Sequence, residues 1–385
     1  MLLLAAVILS GTWDATVTFD DRTVPFQIEF ASNGQAVEAA IVDGPQRHRS
    51  TSGKFDGTTL KVHWDYLDSV LTAQFAGGAL KGEYVRRTRA GRIPRPFEAR
   101  PAVMWAPSEA KANVAGSYVM KTDSKGGRRA MEAVFTQKGS AVEGTIQAVD
   151  GDFGYLTGYV AGSHVVLTHF DGVRATLVEA DYDPKSCLLT GLIDKHTHFE
   201  ASNASCGGPA VAEAIDPRKY TSVKDPAEAF QFAFPDLDGR PVSLADERFR
   251  NKVILVSIMG SWCPNCHDEA PFFEELYKKY NAQGFEVISL AFEYTGEVER
   301  DREQVRRFRN LHGLTYTMLL AGTTDQVAAK LPQLKDFGAF PTTLILDRSH
   351  RVRMVEAGFA GPANQAEHEK LRHDFEETIR GLLGN

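Results

Sequence analysis

Two cysteines three positions apart, Cys263 and Cys266, are the residues of this chain best spaced to do chemistry. A dithiol at this spacing suits reversible thiol–disulfide exchange, in which one thiolate attacks a disulfide and the second thiol resolves the mixed disulfide. It would also suit half of a zinc site, which needs about two further ligands. No second CxxC and no HxxxH accompanies the pair, so the pattern favours exchange. The pair follows Lys252–Met259 (KVILVSIM), a continuous apolar run of the kind a strand buried on both faces requires. It precedes His267–Asn281, where Phe272, Phe273, Leu276 and Tyr280 recur at helical spacing. A cysteine at a helix N-terminus meets unpaired N–H groups and the positive end of the dipole, and both favour a thiolate. Cys263 is therefore assigned as the attacking thiol, and Cys266, one turn on, as the resolving thiol. Pro264 suits the first helical turn, where its missing N–H costs nothing. Glu269 lies three residues beyond Cys266 on the same helix face. His267 lies four after Cys263, at what reads as an exposed helix position.

The elements that must hold this pair alternate between strand and helix. Phe230–Phe234 and Arg240–Leu244 flank a turn at Asp238-Gly239. Phe285–Phe292 reads as a buried strand, Val298–Leu311 as a charged helix, and Tyr316–Leu320 and Thr342–Leu346 as short strands. Arg351–Val355 pairs after a turn, and Gln365–Leu383 is a terminal amphipathic helix. Such alternation predicts an α/β domain with βαβ crossovers over residues 227–385.

At this point residues Phe230–Leu383 resemble the extracytoplasmic thioredoxin-like proteins of the TlpA and ResA type. The motif Trp262-Cys263-Pro264-Asn265-Cys266, followed by Glu269 and Pro271, is similar to that family's WCxxCxxExP signature. Phe340-Pro341-Thr342-Thr343-Leu344-Ile345-Leu346-Asp347 is similar to its cis-proline strand. The resemblance implies a thioredoxin fold, thiol–disulfide oxidoreductase activity on protein thiol and disulfide substrates, an upstream membrane or periplasmic thiol reductant, and a periplasmic or other extracytoplasmic setting with membrane association left open. It implies a cis bond at Pro341, with Phe340, Pro341, Trp262 and Pro264 forming the face that meets the substrate polypeptide. It implies that Glu269 is a partly buried acid trading a proton with Cys266. No cofactor is expected beyond the Cys263–Cys266 disulfide, and no metal. A peroxiredoxin-type thiol peroxidase is the rival enzyme reading, but it calls for Thr three before the reactive Cys, where this chain has Gly260.

The other half of the chain repeats itself at a constant offset of 105 residues: Gly11-Thr12-Trp13 with Gly116-Ser117-Tyr118, Phe30 with Phe135, and Ala36-Val37-Glu38 with Ala141-Val142-Glu143. After four extra residues near Asp181–Pro184, Leu80-Lys81-Gly82 matches Leu189-Thr190-Gly191. Each copy, 11–105 and 112–206, reads as about eight short strands separated by turn pairs such as Asp43-Gly44 and Asp150-Gly151, hence two meander barrels or sandwiches. In the first copy the expected strands include Arg49–Phe55 and a short last one, Phe97–Arg100. The fold class is thus multi-domain: an all-β tandem repeat, then an α/β thioredoxin-like domain, joined by a Pro- and Gly-rich linker at 207–226. The β copies could bind a ligand or protein of unknown kind, which makes a docking module with an accessory redox domain a further alternative. Cys187 and Cys206 flank one hairpin and form either a cross-strand disulfide or two buried thiols. His196 and His198 lack the ligand count of a metal site. Arg86, Arg87, Arg89, Arg92, Arg95 and Arg100 could bind an anion, but they fall on the last hairpin of copy one and the linker and read as a solvated connector.

A net charge of −7 offers no basic field for nucleic acid. Leu2–Leu9 is apolar but far shorter than the roughly 20 residues a bilayer requires, so residues 1–10 read as a signal-peptide remnant or a first strand.

Overall fold

The computed structural model describes residues 9–103, 110–123, 129–212 and 220–384. Most of the segment expected to be a signal remnant, and part of the expected linker, lie outside the described residues. The chain divides into two compact units, Met1–Ile146 with Phe153–Ala214, and Gln147–Asp152 with Ile215–Asn385.

The first unit holds both β copies as closed eight-stranded barrels. In copy one the ring runs Arg22–Asn33, Gly11–Phe19, Gly91–Pro101, Ala79–Thr88, Ser69–Ala76, Thr59–Trp64, Ser52–Phe55 and Ala36–Asp43, which pairs back onto Arg22–Asn33. Copy two repeats the order with Arg129–Lys138, Gly116–Thr122, Thr197–Ser202, Leu188–Ile193, Ala175–Asp183, His164–Phe170, Leu156–Ala161 and Ala141–Ala148. Alternation of side chains puts Trp13, Ala15 and Val17 of one strand inside, with Leu60, Val62, Trp64, Leu80 and Phe97 from others. Each large side chain so buried contributes roughly 1.5–3 kcal/mol. The interior is filled by its own residues, as is common at this strand number.

The repeated glycines have a shared cause. A Cβ on Gly82 would lie 2.0 Å from the carbonyl oxygen of Thr72, and one on Gly191 would lie 2.1 Å from that of Glu179. Both sit mid-strand where the paired backbone crosses too closely for any side chain.

Three expectations are corrected. Arg49–Phe55 is not one strand: Gln46–Arg49 and Ser52–Phe55 are separated by a turn in which Ser50 bonds Ala39 through backbone and hydroxyl. The last strand begins at Gly91, six residues early, because it forms a long hairpin with Ala79–Thr88. The arginine stretch lies on that hairpin, as expected in part, but it is ion-paired there rather than a solvated connector, with Arg87 and Arg92 both on Asp68 and Arg95 on Asp20.

Cys187 and Cys206 form a disulfide. They are not a ladder pair: the register sets Leu188 opposite Ser202, so the bond ties the base of the hairpin to the 3-10 turn Ala204–Cys206 beyond it. Within the same unit His169 of copy two is buried, its Nδ1 3.0 Å from Asp43 of copy one and its Nε2 3.4 Å from Asp171. His196 lies 3.3 Å from Asp21.

The second unit is a mixed five-stranded sheet ordered β3-β2-β1-β4-β5, with β1 Val253–Met259, β2 Phe285–Glu293, β3 Thr317–Thr323, β4 Thr342–Leu346 and β5 Val352–Ala357. β1, β2 and β3 run parallel, while β4 and β5 are antiparallel additions. The crossover helices are α1 Pro264–Tyr280 and α2 Val298–His312, followed by a single turn α3 Val327–Lys330 and the terminal α4 Gln365–Leu383. All seven residues of β1 are buried. Its odd positions Val253, Leu255 and Met259 pack with Phe272 and Phe273 of α1, Phe308 of α2 and Phe375 of α4. Its even positions Ile254, Val256 and Ile258 pack with Phe230, Phe249 and Leu331 on the other face. Among the described residues no helix is long and apolar enough to cross a membrane.

Candidate active site

The end of β1 runs through Gly260-Ser261-Trp262 into α1, and Cys263 is the N-cap of that helix, with Pro264 in its first turn. The Cys263 carbonyl accepts the N–H groups of Cys266 (3.1 Å) and His267 (3.3 Å), so the first turn is wound tightly around the pair. Both cysteines are thiols in this structure. Cys263 is 4% exposed and Cys266 is fully enclosed. The Cys263 Sγ donates to the carbonyl of Phe340 at 3.4 Å, and the Phe340–Pro341 peptide is cis. The Cys263 sulfur and the loop before β4 are therefore in direct contact, although 77 positions separate them in sequence.

Beneath the pair lies a polar stripe in an otherwise apolar sheet. Ser257 of β1 sits directly opposite Thr343 of β4 on one side and beside Ser289 of β2 on the other. All three share the face that α1 covers, since they alternate in phase with the α1-facing Val253, Val287 and Ile345. Glu269 of α1 reaches down to this stripe. Ser257 Oγ donates to its Oε1, and Thr343 Oγ1 donates to its Oε2 at 3.4 Å. Only 2% of Glu269 is exposed. Burial pushes its carboxyl up to about 8, against the two hydroxyl bonds that favour the anion. Burial, the Cys263 thiol and the Glu269 charge push the Cys266 thiol well above its ordinary value. Tyr316 completes the pocket, bonded to Ser289 and also raised by burial.

A second buried carboxyl flanks the entrance. Glu293, the last residue of β2, accepts the Ser261 N–H at 2.8 Å and the Ser261 hydroxyl at 2.7 Å. Burial pushes Glu293 up to about 7, opposed by those two bonds. Its neighbours in sequence hold the next residue of the loop: the Trp262 indole N–H donates to the Phe292 carbonyl at 2.9 Å, and the ring stacks on Tyr294 at 4.6 Å. Trp262 also meets Phe340 edge-on at 5.2 Å. From the other side His267 Nε2 bonds the Ser261 carbonyl at 2.9 Å. A carbonyl only accepts, so Nε2 carries the hydrogen and Nδ1 of the neutral ring accepts from His312 Nε2 at 2.8 Å. Burial holds His312 down to about 4, in keeping with a neutral donor there.

The structure thus brings Cys263, Cys266, Glu269, Trp262, Pro264, Phe340 and Pro341 into one neighbourhood, and leaves Cys187 and Cys206 in the first unit. His267 is not the exposed position expected from its place on the helix, because α2 packs over it and supplies His312. Reading the sequence missed Ser257, Thr343, Ser261, Glu293, Tyr294 and His312. Ser257 carried a signal, a lone hydroxyl within KVILVSIM; Glu293 carried one too, a carboxylate closing an apolar strand. Asn265, between the cysteines, donates to the Asp150 carbonyl at 2.9 Å.

Residues 223–355 match the family model described as the AhpC/TSA family. The thiol-disulfide oxidoreductase ResA of Geobacillus thermodenitrificans (strain NG80-2) is 30% identical over 138 residues, covering 36% of this chain and 72% of the relative. ResA of Bacillus subtilis (strain 168) is 23% identical over 159 residues, 41% of this chain and 78% of the relative. A solved thiol:disulfide interchange protein of the thioredoxin family from Chlorobium tepidum TLS is 22% identical, with a TM-score of 0.33 over 42% of this chain and 99% of that one. The relative at 30% identity is matched over 72% of its length, and the family model's match, residues 223–355, includes the thiol pair. The chain therefore belongs to the ResA family of thiol-disulfide oxidoreductases.

Proposed function

We propose that this oxidoreductase works outside the cytoplasm, reducing or exchanging disulfides in partner proteins with Cys263 as attacking and Cys266 as resolving thiol. The observation that carries the reading is the buried Glu269 carboxyl beneath the pair, pushed up to about 8 and held by Ser257 and Thr343. A base in that range can take a proton near neutral pH and return it.

The steps balance as follows. The Cys263 thiolate bonds to one sulfur of the substrate disulfide, and the other sulfur leaves as a thiolate. Glu269 takes the Cys266 proton. The Cys266 sulfur bonds to Cys263 Sγ, breaking the mixed disulfide, and the second substrate sulfur leaves. Two electrons have passed to the substrate, and the chain holds a Cys263–Cys266 disulfide. A thiol reductant from outside the chain reopens it. Phe340, Pro341 and Trp262 border the attacking sulfur and offer the apolar face and backbone edge for a polypeptide substrate. The Cys187–Cys206 disulfide supports an oxidising compartment. The peroxidase alternative is disfavoured by space: a Cβ at Gly260 would lie 2.2 Å from the Trp262 indole nitrogen, so no threonine fits there while Trp262 holds its place.

Cys266→Ser tests the reading. The variant should accumulate covalent mixed disulfides with protein substrates and release one thiol equivalent from a model disulfide where the wild type releases two. Wild-type protein that consumes hydrogen peroxide and leaves disulfides untouched would overturn the proposal.

A further inference from the structure

We infer that Glu293 is a positioning residue for the attacking thiol: its carboxylate grips Ser261 and thereby sets the loop that presents Cys263. The inference rests on the exchange reading of the Cys263–Cys266 pair and goes beyond it. The Glu293 carboxyl is 2% exposed, and both its oxygens are spent on one residue, the backbone N–H and the hydroxyl of Ser261. Ser261 is itself buried and is held a third time, through its carbonyl, by His267. A residue two before the nucleophile, with N–H, C=O and hydroxyl all bonded, has little freedom left. Phe292 before Glu293 and Tyr294 just beyond the strand hold Trp262, so one strand end grips the two residues that lead into Cys263.

The grip depends on charge. As a carboxylate, Glu293 accepts both Ser261 donors. Once protonated it has a hydrogen of its own to donate, and a backbone N–H cannot receive it. The proton must sit on the oxygen facing the hydroxyl, which then has to turn round and accept. The loop before Cys263 is therefore held differently on either side of the Glu293 titration, near neutral pH. The charged groups acting on Glu293 are Arg300 and Asp301 of α2. Asp301 is tied to Thr295, Gly296 and Arg300. α1, packed on the same strand, brings Cys263, Cys266, His267 and Glu269, and α2 brings His312. β1 contributes no titratable group, and β3 meets Glu293 through Thr323.

The test is the pH profile of alkylation of Cys263 by iodoacetamide in the reduced full chain. Wild type should show an inflection near pH 7 in addition to that of the thiol. Glu293→Gln keeps the shape: its amide oxygen can accept the Ser261 N–H and its amide nitrogen can donate to the hydroxyl. This variant should lose the inflection, whereas Glu269→Gln should keep it. Glu293→Ala frees Ser261 and should slow formation of the first mixed disulfide roughly 10²-fold, the scale of a 1 Å misplacement. Glu293→Gln should recover most of that rate. An inflection that persists in Glu293→Gln, or alanine and glutamine variants that react as fast as wild type, would overturn the inference. Loss of the inflection in a protein that attacks no disulfide would instead overturn the exchange reading while leaving the Glu293–Ser261 assignment standing.

Discussion

Replacing Glu269 with Gln separates the two halves of the exchange reaction. The carboxyl titrates at about 8, so roughly a tenth of it is ionised at pH 7, half at pH 8 and nine tenths at pH 9. If the carboxylate accepts the Cys266 proton, the resolving step in the wild type should speed up about eight- to tenfold between pH 7 and pH 9 and then level off. Glutamine is isosteric and cannot accept that proton. The Ser257 and Thr343 hydroxyls can bond its oxygen and nitrogen, so the sheet–helix contact survives. Resolution should slow by roughly 10²–10⁴-fold, the usual contribution of a placed general base, and its inflection near pH 8 should vanish. Stopped-flow reduction of 5,5′-dithiobis(2-nitrobenzoate) reads both steps in one trace. The first thionitrobenzoate equivalent reports attack by Cys263, and the second reports resolution by Cys266. The first phase should change by no more than a few fold. The linkage has a defined sign as well. A carboxyl raised from 4.5 to about 8 in the native state favours folding most below the lower value, and that stability is lost as pH rises through about 8. The glutamine variant should therefore lose less stability than wild type over that span. A second phase with unchanged rate and pH profile in Glu269→Gln would refute the proton-transfer role.

Two further predictions concern the β unit. Cys187 and Cys206 close a loop of 19 residues, so Cys187→Ser should lower its stability by about 3 kcal/mol on the chain-entropy model; thermal melting followed by circular dichroism checks this, and an unchanged midpoint counts against it. Burial opposes charge on His169, but Asp43 and Asp171 outweigh burial and push it up to about 10. Its stabilisation is full below about 6.5 and is lost as pH rises through about 10, while that of Asp43 and Asp171, both lowered, is lost only as pH falls well into the acid range. His169→Asn leaves the buried Asp43 and Asp171 carboxylates without the imidazolium between them, with only His48 and Arg174 acting on them, and should cost about 3–5 kcal/mol near pH 7. A variant that melts with wild-type midpoint and pH dependence would show that the imidazolium holds nothing.

What was legible in the sequence follows from how local each signal is. The thiol pair, its N-terminal helix position and Pro264 lie within five residues, and a buried strand before a helix is written in the apolar runs around them. The duplication was legible because glycines recur at matched positions, some of them where paired backbones cross closely, as at Gly82 and Gly191. The hydroxyl stripe that holds Glu269 was not legible, because it is made by register. Ser257, Ser289 and Thr343 are three isolated hydroxyls in three apolar strands, and each alone reads as a minor interruption of a core. Only the pairing of Ser257 with Thr343 across antiparallel strands, and with Ser289 across parallel ones, lines them up under α1. A slip of one residue in β4 would turn Thr343 to the opposite face and put Thr342 or Leu344 in its place. Where Leu344 takes that place, Glu269 loses one of its two hydroxyl donors. Burial would act on it with less opposition, so its pKa would rise further from neutral and it would be a poorer acceptor for the Cys266 proton. The proposed nucleophile is thus set by adjacent residues, whereas the acidity of Glu269 is set by strand pairing between residues 86 positions apart. A substitution that shifts that register should impair resolution without touching the CxxC motif.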